Sequence, residues 1–145
     1  MLRMMELSFN ATLENEPFAR TSVASFIAGM NPTIDEVVEI KTIVSEAVSN
    51  AIIHGYNHDQ QSKVVLKVTI EKNRNMIITI QDYGKGIEDI EVAKTPMFSS
   101  LKALEHAGMG MTIMEALADN LEIHSTVDLG TKVIITKRLK DCNLG

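Results

Sequence analysis

Glu46, Asn50 and His54 stand four residues apart in the stretch SEAVSNAIIHG, which otherwise reads as helix. At about 100° per residue such a column drifts by about 40° per step, so the three side chains share one flank of the helix. Val37, Ile40, Val44, Ala47, Val48 and Ala51 form the broad apolar face beside them. A carboxylate, an amide and an imidazole in that place are either surface groups with local contacts or the polar rim of a pocket. A second group of residues offers other walls. Asp82 continues the inward side of a strand after Met76, Ile78 and Ile80, and it is followed by Gly84 and Gly86. A carboxylate on an inward face needs a partner to offset its desolvation. An exocyclic amine, such as that of adenine, would serve, with glycines letting backbone approach a flat ring. Gly108-Met109-Gly110 precedes an expected helix, whose first N–H groups would suit a phosphate. Taken singly, both glycine motifs are weak signals: the first is more often a plain turn and the second more often a plain loop-to-helix junction.

The elements that must hold these residues can be read from periodicity. Residues 5–12 alternate, with Met5, Leu7, Phe9 and Ala11 on one side, as in a half-buried strand. Residues 15–30 carry apolar residues near helical spacing, with Pro17 in the first turn and Asn31-Pro32 as the stop. Thr33 and Glu36 spell a capping box for a second helix, which should run to about Ile53 and stop near Gly55. Val64–Ile70 and Met76–Gln81 read as a hairpin around Lys72–Asn75. Residues 83–109 lack sustained periodicity, which in a small domain suggests a lid or binding loop at about 84–109. A helix is expected over Gly110–Asp119, then a last hairpin of Leu121–Val127 and Thr131–Leu139. The predicted fold is α+β: a two-layer sandwich of a mixed, mostly antiparallel sheet with helices on one face.

Composition bounds the function. The chain has 145 residues, 45% hydrophobic and 23% charged, which suits one soluble domain spanning 1–145. A net charge of −5 argues against direct nucleic-acid binding. The late basic cluster Lys132, Lys137, Arg138 and Lys140 reads as a solvated strand face. Cys142 is the single cysteine, so neither a disulfide framework nor a cysteine metal site is expected, and a reducing cytoplasm is the default. No apolar run suggests a membrane span or a signal peptide.

The order of motifs says more than any one of them. E-x-x-x-N-A-x-x-H-G from Glu46, D-x-G-x-G from Asp82, an irregular segment, then G-M-G and Gly130-Thr131 resemble the nucleotide-binding pattern of the GHKL ATPase and kinase superfamily. No P-loop motif is present. The resemblance implies a Bergerat-type ATP-binding fold that takes ATP or ADP with Mg²⁺. It implies Asn50 as the magnesium ligand, Asp82 on the adenine amine, and Thr131 closing the base pocket. Gly84, Gly86, Ser99, Ser100, Gly108, Met109 and Gly110 would shape the lid and its phosphate contacts, and Glu46 would be the general base. His54 would pack at the helix end or touch ligand. His106 stands where related chains carry an arginine, and an imidazole is only partly charged near neutrality.

Over nearly its full length, in ELSFNATLENEPFAR, VSEAVSNAIIHGY, GMGMTIMEALAD and KDCN, the chain is most similar to the family of anti-sigma F factors of spore-forming bacteria. That resemblance implies a homodimer that sequesters a sporulation sigma factor. It also implies serine phosphorylation of an anti-anti-sigma antagonist. Glu16 and Arg20, at i and i+4 on the first helix, form either a weak surface ion pair or part of the docking surface that the resemblance implies. A general-stress anti-sigma serine kinase and a nucleotide-gated binding module without turnover are the alternatives. A histidine kinase fragment is disfavoured, because none of the four His residues lies in a dimerisation helix and a hydroxyl acceptor is what needs a carboxylate base.

Overall fold

The computed structural model describes residues 2–55, 62–84 and 102–140, and for residues 54–55 and 102–109 the backbone alone. Strands β1 (Arg3–Asn10), β2 (Lys63–Ile70), β3 (Asn75–Asp82), β4 (Asn120–Thr126) and β5 (Gly130–Arg138) pair in the order β1-β2-β3-β5-β4. All four pairings are antiparallel. Helices α1 (Glu16–Ile27), α2 (Ile34–Asn50) and α3 (Lys102–Leu117) cover one face, so the α+β sandwich read from the periodicity is the fold. The core is where alternation meets helical spacing. Val64, Leu66 and Val68 of β2, Met76, Ile78 and Ile80 of β3, and Val133 and Ile135 of β5 pack on Ala19, Val23 and Ile27 of α1 and Ile40, Ile43, Val44, Ala47 and Val48 of α2. Each such aliphatic side chain removed from water contributes about 1.5–3 kcal/mol, so α2 is held mainly by this face. Phe18, by contrast, points to solvent: the buried stripe of α1 runs through Ala19, not through its neighbour.

The N-terminal end of α2 is bolted down. Thr33 Oγ1 accepts the Glu36 N–H at 3.0 Å, and Glu36 Oε1 accepts the Thr33 N–H at 2.8 Å, which is the expected capping box. Glu36 Oε2 accepts the Lys140 N–H at 2.7 Å, tying the helix start to the chain leaving β5. Burial alone would raise the Glu36 pKa, but the hydrogen bonds from Thr33 and Lys140, helped by the Arg74 charge, outweigh it and hold the carboxyl below its usual range.

Lys137 corrects the expectation of a solvated basic face. Lys132, Arg138 and Lys140 are exposed, but Lys137 is buried, because strand parity places it on the inner side with Val133 and Ile135. Its ammonium donates to Glu39 Oε2 at 2.7 Å on α2 and to the Leu117 carbonyl at 2.8 Å, the open C-terminal end of α3. A cation there satisfies a helix-end carbonyl and complements the helix dipole.

Two helix boundaries differ from the sequence reading. The α-helix ends at Asn50 and continues as a π-helical turn over Ala51–Gly55, a wider winding often found beside functional sites. Helix α3 begins at Lys102 rather than Gly110. The run Lys102-Ala-Leu-Glu is made of strong helix formers and carries the winding through Gly108 and Gly110. The Gly108-Met109-Gly110 segment therefore lies inside a helix and not at its N-terminus, so the argument from free N–H groups does not apply to it in this structure. The last part of the expected lid, 102–109, is helical in backbone, while its part at 85–101 lies outside the described residues.

Candidate functional site

The site grows from the far end of α2. Helical winding sets Glu46 half-buried and Asn50 buried, one turn apart, at the border of the apolar face. Neither the amide nitrogen nor the amide oxygen of Asn50 has a hydrogen-bond partner among the described residues. A buried amide left in that state costs about 1–3 kcal/mol, a cost that persists in folded proteins chiefly where a ligand will meet it. Gly110 of α3 stands directly over the pair. A Cβ placed on it would lie 2.8 Å from Glu46 Oε2 and 2.9 Å from Asn50 Nδ2. The close approach of α3 to α2 therefore requires glycine at this point. Gly110 thus adjoins Glu46 and Asn50 through this packing, not through the helix terminus that its glycine motif was expected to mark.

A second cluster sits where β3 ends. Asp82 is buried on the inner face and pairs in register with Thr131 of β5. Desolvation pushes its carboxyl pKa up, while backbone N–H groups of Gly84 and Thr131 pull it part of the way back. The Gly84 N–H reaches Asp82 Oδ1 at 2.9 Å. Gly130 makes the juxtaposition possible. Its φ is 119°, and a Cβ there would overlap the Asp82 carbonyl oxygen, so β5 starts flush against the end of β3. Thr131 is buried and shares a hydroxyl–hydroxyl hydrogen bond of 2.8 Å with Ser125. The π-helical turn that follows Asn50 packs against β3, β5 and α3, so the same elements that carry the Asp82 cluster and Gly110 meet the C-terminal end of α2.

Of the other residues singled out in the sequence, Gly86, Ser99 and Ser100 lie outside the described residues, as does the side-chain environment of His54, His106, Gly108 and Met109. Arg20 Nε lies 3.5 Å from Glu16 Oε2, the expected i, i+4 pair on α1. Glu16 Oε2 is buried without a hydrogen bond among the described residues. The sequence reading missed the groove of about 240 Å³ between α1 and α2 that joins Arg20 to Glu46 along Val38, Lys41, Thr42 and Ser45. Its signal was present as the outward i, i+3, i+4, i+7 set of α2, but nothing in one chain's pattern says which helix lies across it.

A hard cation fits the α2 end under one condition. Among the described residues no three His, Cys, Asp or Glu side chains gather as ligands, so a metal would need oxygens brought by a phosphate group. One buried amide oxygen beside phosphates and waters is the kind of donor set Mg²⁺ favours.

The profile of the histidine kinase-like ATPase domain family matches residues 9–137. The chain is 50% identical to an anti-sigma F factor of Bacillus subtilis and to one of Anoxybacillus flavithermus, each over 96% of this chain and 94% of the relative. It is 49% identical to an anti-sigma F factor of Clostridium perfringens over 93% of this chain and 96% of that one. Among solved structures, the RsbU and RsbW domains of Rv1364c from Mycobacterium tuberculosis align with a TM-score of 0.70 at 20% identity, covering 94% of this chain and 32% of that one. The SiaB–SiaC complex of Pseudomonas aeruginosa aligns with a TM-score of 0.57 at 10% identity, covering 92% and 88%. Both likenesses speak to the fold. The chain belongs to the histidine kinase-like ATPase domain family of the GHKL superfamily, among relatives named anti-sigma F factor. That domain is an ATP-binding one, and no described helix is long and apolar enough to cross a membrane.

Proposed function

We propose that the chain is an anti-sigma factor that holds a sporulation sigma factor and is also a protein-serine kinase, using Mg-ATP to phosphorylate the antagonist that would free that sigma factor. The observation that carries the reading is the convergence at Gly110: a carboxylate without a partner among the described residues and a buried, unpaired amide, both facing one bare Cα. Family membership and the relatives' name support the same reading.

In this reading Asp82 accepts a hydrogen bond from the adenine amine, which offsets the desolvation that raises its pKa. Thr131 and Gly84 border the base, and Asn50 Oδ1 is the protein ligand of Mg²⁺. The ion supplies charge neutralisation on the phosphates. Glu46 holds the proton of the attacking serine hydroxyl. The acceptor oxygen bonds to the γ-phosphorus as the bond from that phosphorus to the bridging oxygen breaks. ADP leaves with that electron pair, and the hydroxyl proton ends on Glu46. Glu16 and Arg20 belong to the partner-docking surface, and the working unit is a homodimer in the cytoplasm.

Glu46→Gln separates inhibition from catalysis. The variant should bind Mg-ATP and sigma factor with unchanged affinity and lose phosphate transfer to the antagonist. Undiminished transfer by the folded variant contradicts the role of Glu46. If the unaltered protein binds nucleotide and sigma factor but transfers no phosphate, the chain is a nucleotide-gated binding module.

A further inference from the structure

A carboxyl and two hydroxyl side chains lie in one row across the sheet. Strand pairing sets Asp82 of β3 opposite Thr131 of β5, and Thr131 opposite Ser125 of β4. Asp82 and Thr131 are buried. Ser125 is half-buried and shares the inner side of β4 with Leu121 and Ile123, which pack on the core. Thr131 is tied to both neighbours. Its backbone N–H is bonded to the Asp82 carboxylate, and its hydroxyl oxygen lies 2.8 Å from Ser125 Oγ. Ser125 Oγ can also donate to the Gly130 carbonyl at 3.3 Å. The first distance is ordinary for an O–H···O bond, and the second is long.

Each hydroxyl has one proton, so the direction of one fixes that of the other. When Ser125 donates to the Gly130 carbonyl, the Thr131 proton must fill the 2.8 Å contact, and Thr131 Oγ1 has only lone pairs left to offer. When Ser125 donates to Thr131 instead, only the long bond is given up and the Thr131 proton is released. Adenine calls for the second state. Its amine donates to a carboxylate, but N1, the ring nitrogen beside the amine, is an acceptor and needs a proton. Thr131 has the same sense if a water stands between. A water that gives one proton to N1 and the other to the Asp82 carboxylate can only accept from Thr131.

We infer that Ser125 is a positioning residue for base recognition: it donates to Thr131 Oγ1 and so turns the Thr131 proton toward adenine N1. The inference rests on the reading above that Asp82 and Thr131 border the base. Ser125 acts only through Thr131 and takes no part in phosphate transfer. A cross-strand hydroxyl pair with a structural role alone would support strand pairing and be indifferent to the base.

The test is calorimetry on the full chain with Mg²⁺, using ATP and 1-deaza-ATP, in which a C–H replaces N1 and the amine is kept. The unaltered protein should bind ATP about threefold to tenfold tighter than the analogue. Ser125→Ala should weaken ATP to the level of the analogue and leave the analogue unchanged. Ser125→Thr, which keeps the hydroxyl, should restore the difference. Equal weakening of both nucleotides by Ser125→Ala, as loss of a structural pair would give, overturns the inference, and so does no change in either. Thr131→Val shows where a failure lies. A difference lost in Thr131→Val but kept in Ser125→Ala overturns the role of Ser125 alone. A difference kept in both variants, or absent from the unaltered protein, overturns the placement of Thr131 at the base as well.

Discussion

The two ends of α2 are built to opposite rules. At its start the polar side chains are matched: Thr33 with Glu36, buried Glu36 also with Lys140, and Glu39 with buried Lys137, which also caps α3. At its finish Asn50 is buried with neither amide atom paired among the described residues, and the winding loosens into a π turn. The same core face holds both ends, so packing does not explain the difference. Matched polar groups fix where the helix stands. Unmatched ones stay open to a ligand, at a cost in stability while none is bound.

Several substitutions would sharpen or break this contrast. The largest effect is expected from Glu46→Gln, with phosphate transfer down by about 10²–10⁴ and the melting temperature unchanged. Steady-state kinetics beside a thermal melt checks both halves. Next comes Lys137→Met at the matched end. It strips Glu39 and the Leu117 carbonyl of their buried cation. We expect a loss of about 2–4 kcal/mol in urea unfolding, kept below the range for fully buried pairs because Glu39 is partly exposed. Thr33→Ala, which removes one arm of the capping box, should cost about 1 kcal/mol by the same assay. Unchanged stability in both variants would dissolve the distinction between the two ends.

The smallest effect is in pH dependence, and its sign differs between the two regions. Glu36 has a lowered pKa, so its contribution is present above the unfolded value of 4.5 and is lost as pH falls through the folded one. Asp82 has a raised pKa. The ligand-free protein therefore loses stability as pH climbs from the unfolded value of 3.8 through the folded one. Asp82→Asn should remove that decline and bind adenine nucleotides more weakly. Glu36→Gln should remove the acid-side loss and leave nucleotide binding alone. Melts across a pH series, paired with nucleotide titration, distinguish the two.

Much of the matched end was legible because its signals are local. The capping box is four residues long, and the hairpins announce themselves by alternation around polar turns. The columns of Glu46 with Asn50 and of Asp82 with the inner face of β3 were legible too, since each is a matter of period. What escaped depends on pairs distant in the chain. Lys137 and Glu39 meet across 98 residues, so a run of basic residues looked like a solvated face, although parity alone puts position 137 inward. The start of α3 escaped for another reason. Lys102–Glu105 favours helix, yet Gly108 and Gly110 read as its boundary, and only the proximity of Glu46 and Asn50 shows why Gly110 sits within the winding. The groove needed two helices to be seen at all.

The central claim is that the unmatched end of α2 holds a magnesium-bound nucleotide. Calorimetric titration of ATP into the unaltered protein and into Asn50→Leu, each with Mg²⁺ and with Mg²⁺ chelated, tests it most directly. The claim predicts tight, magnesium-dependent binding to the unaltered protein and the loss of that dependence in Asn50→Leu, whose ligand-free fold should be as stable or more so, the unpaired amide having gone. No heat with the unaltered protein, or the same magnesium dependence in both proteins, contradicts it.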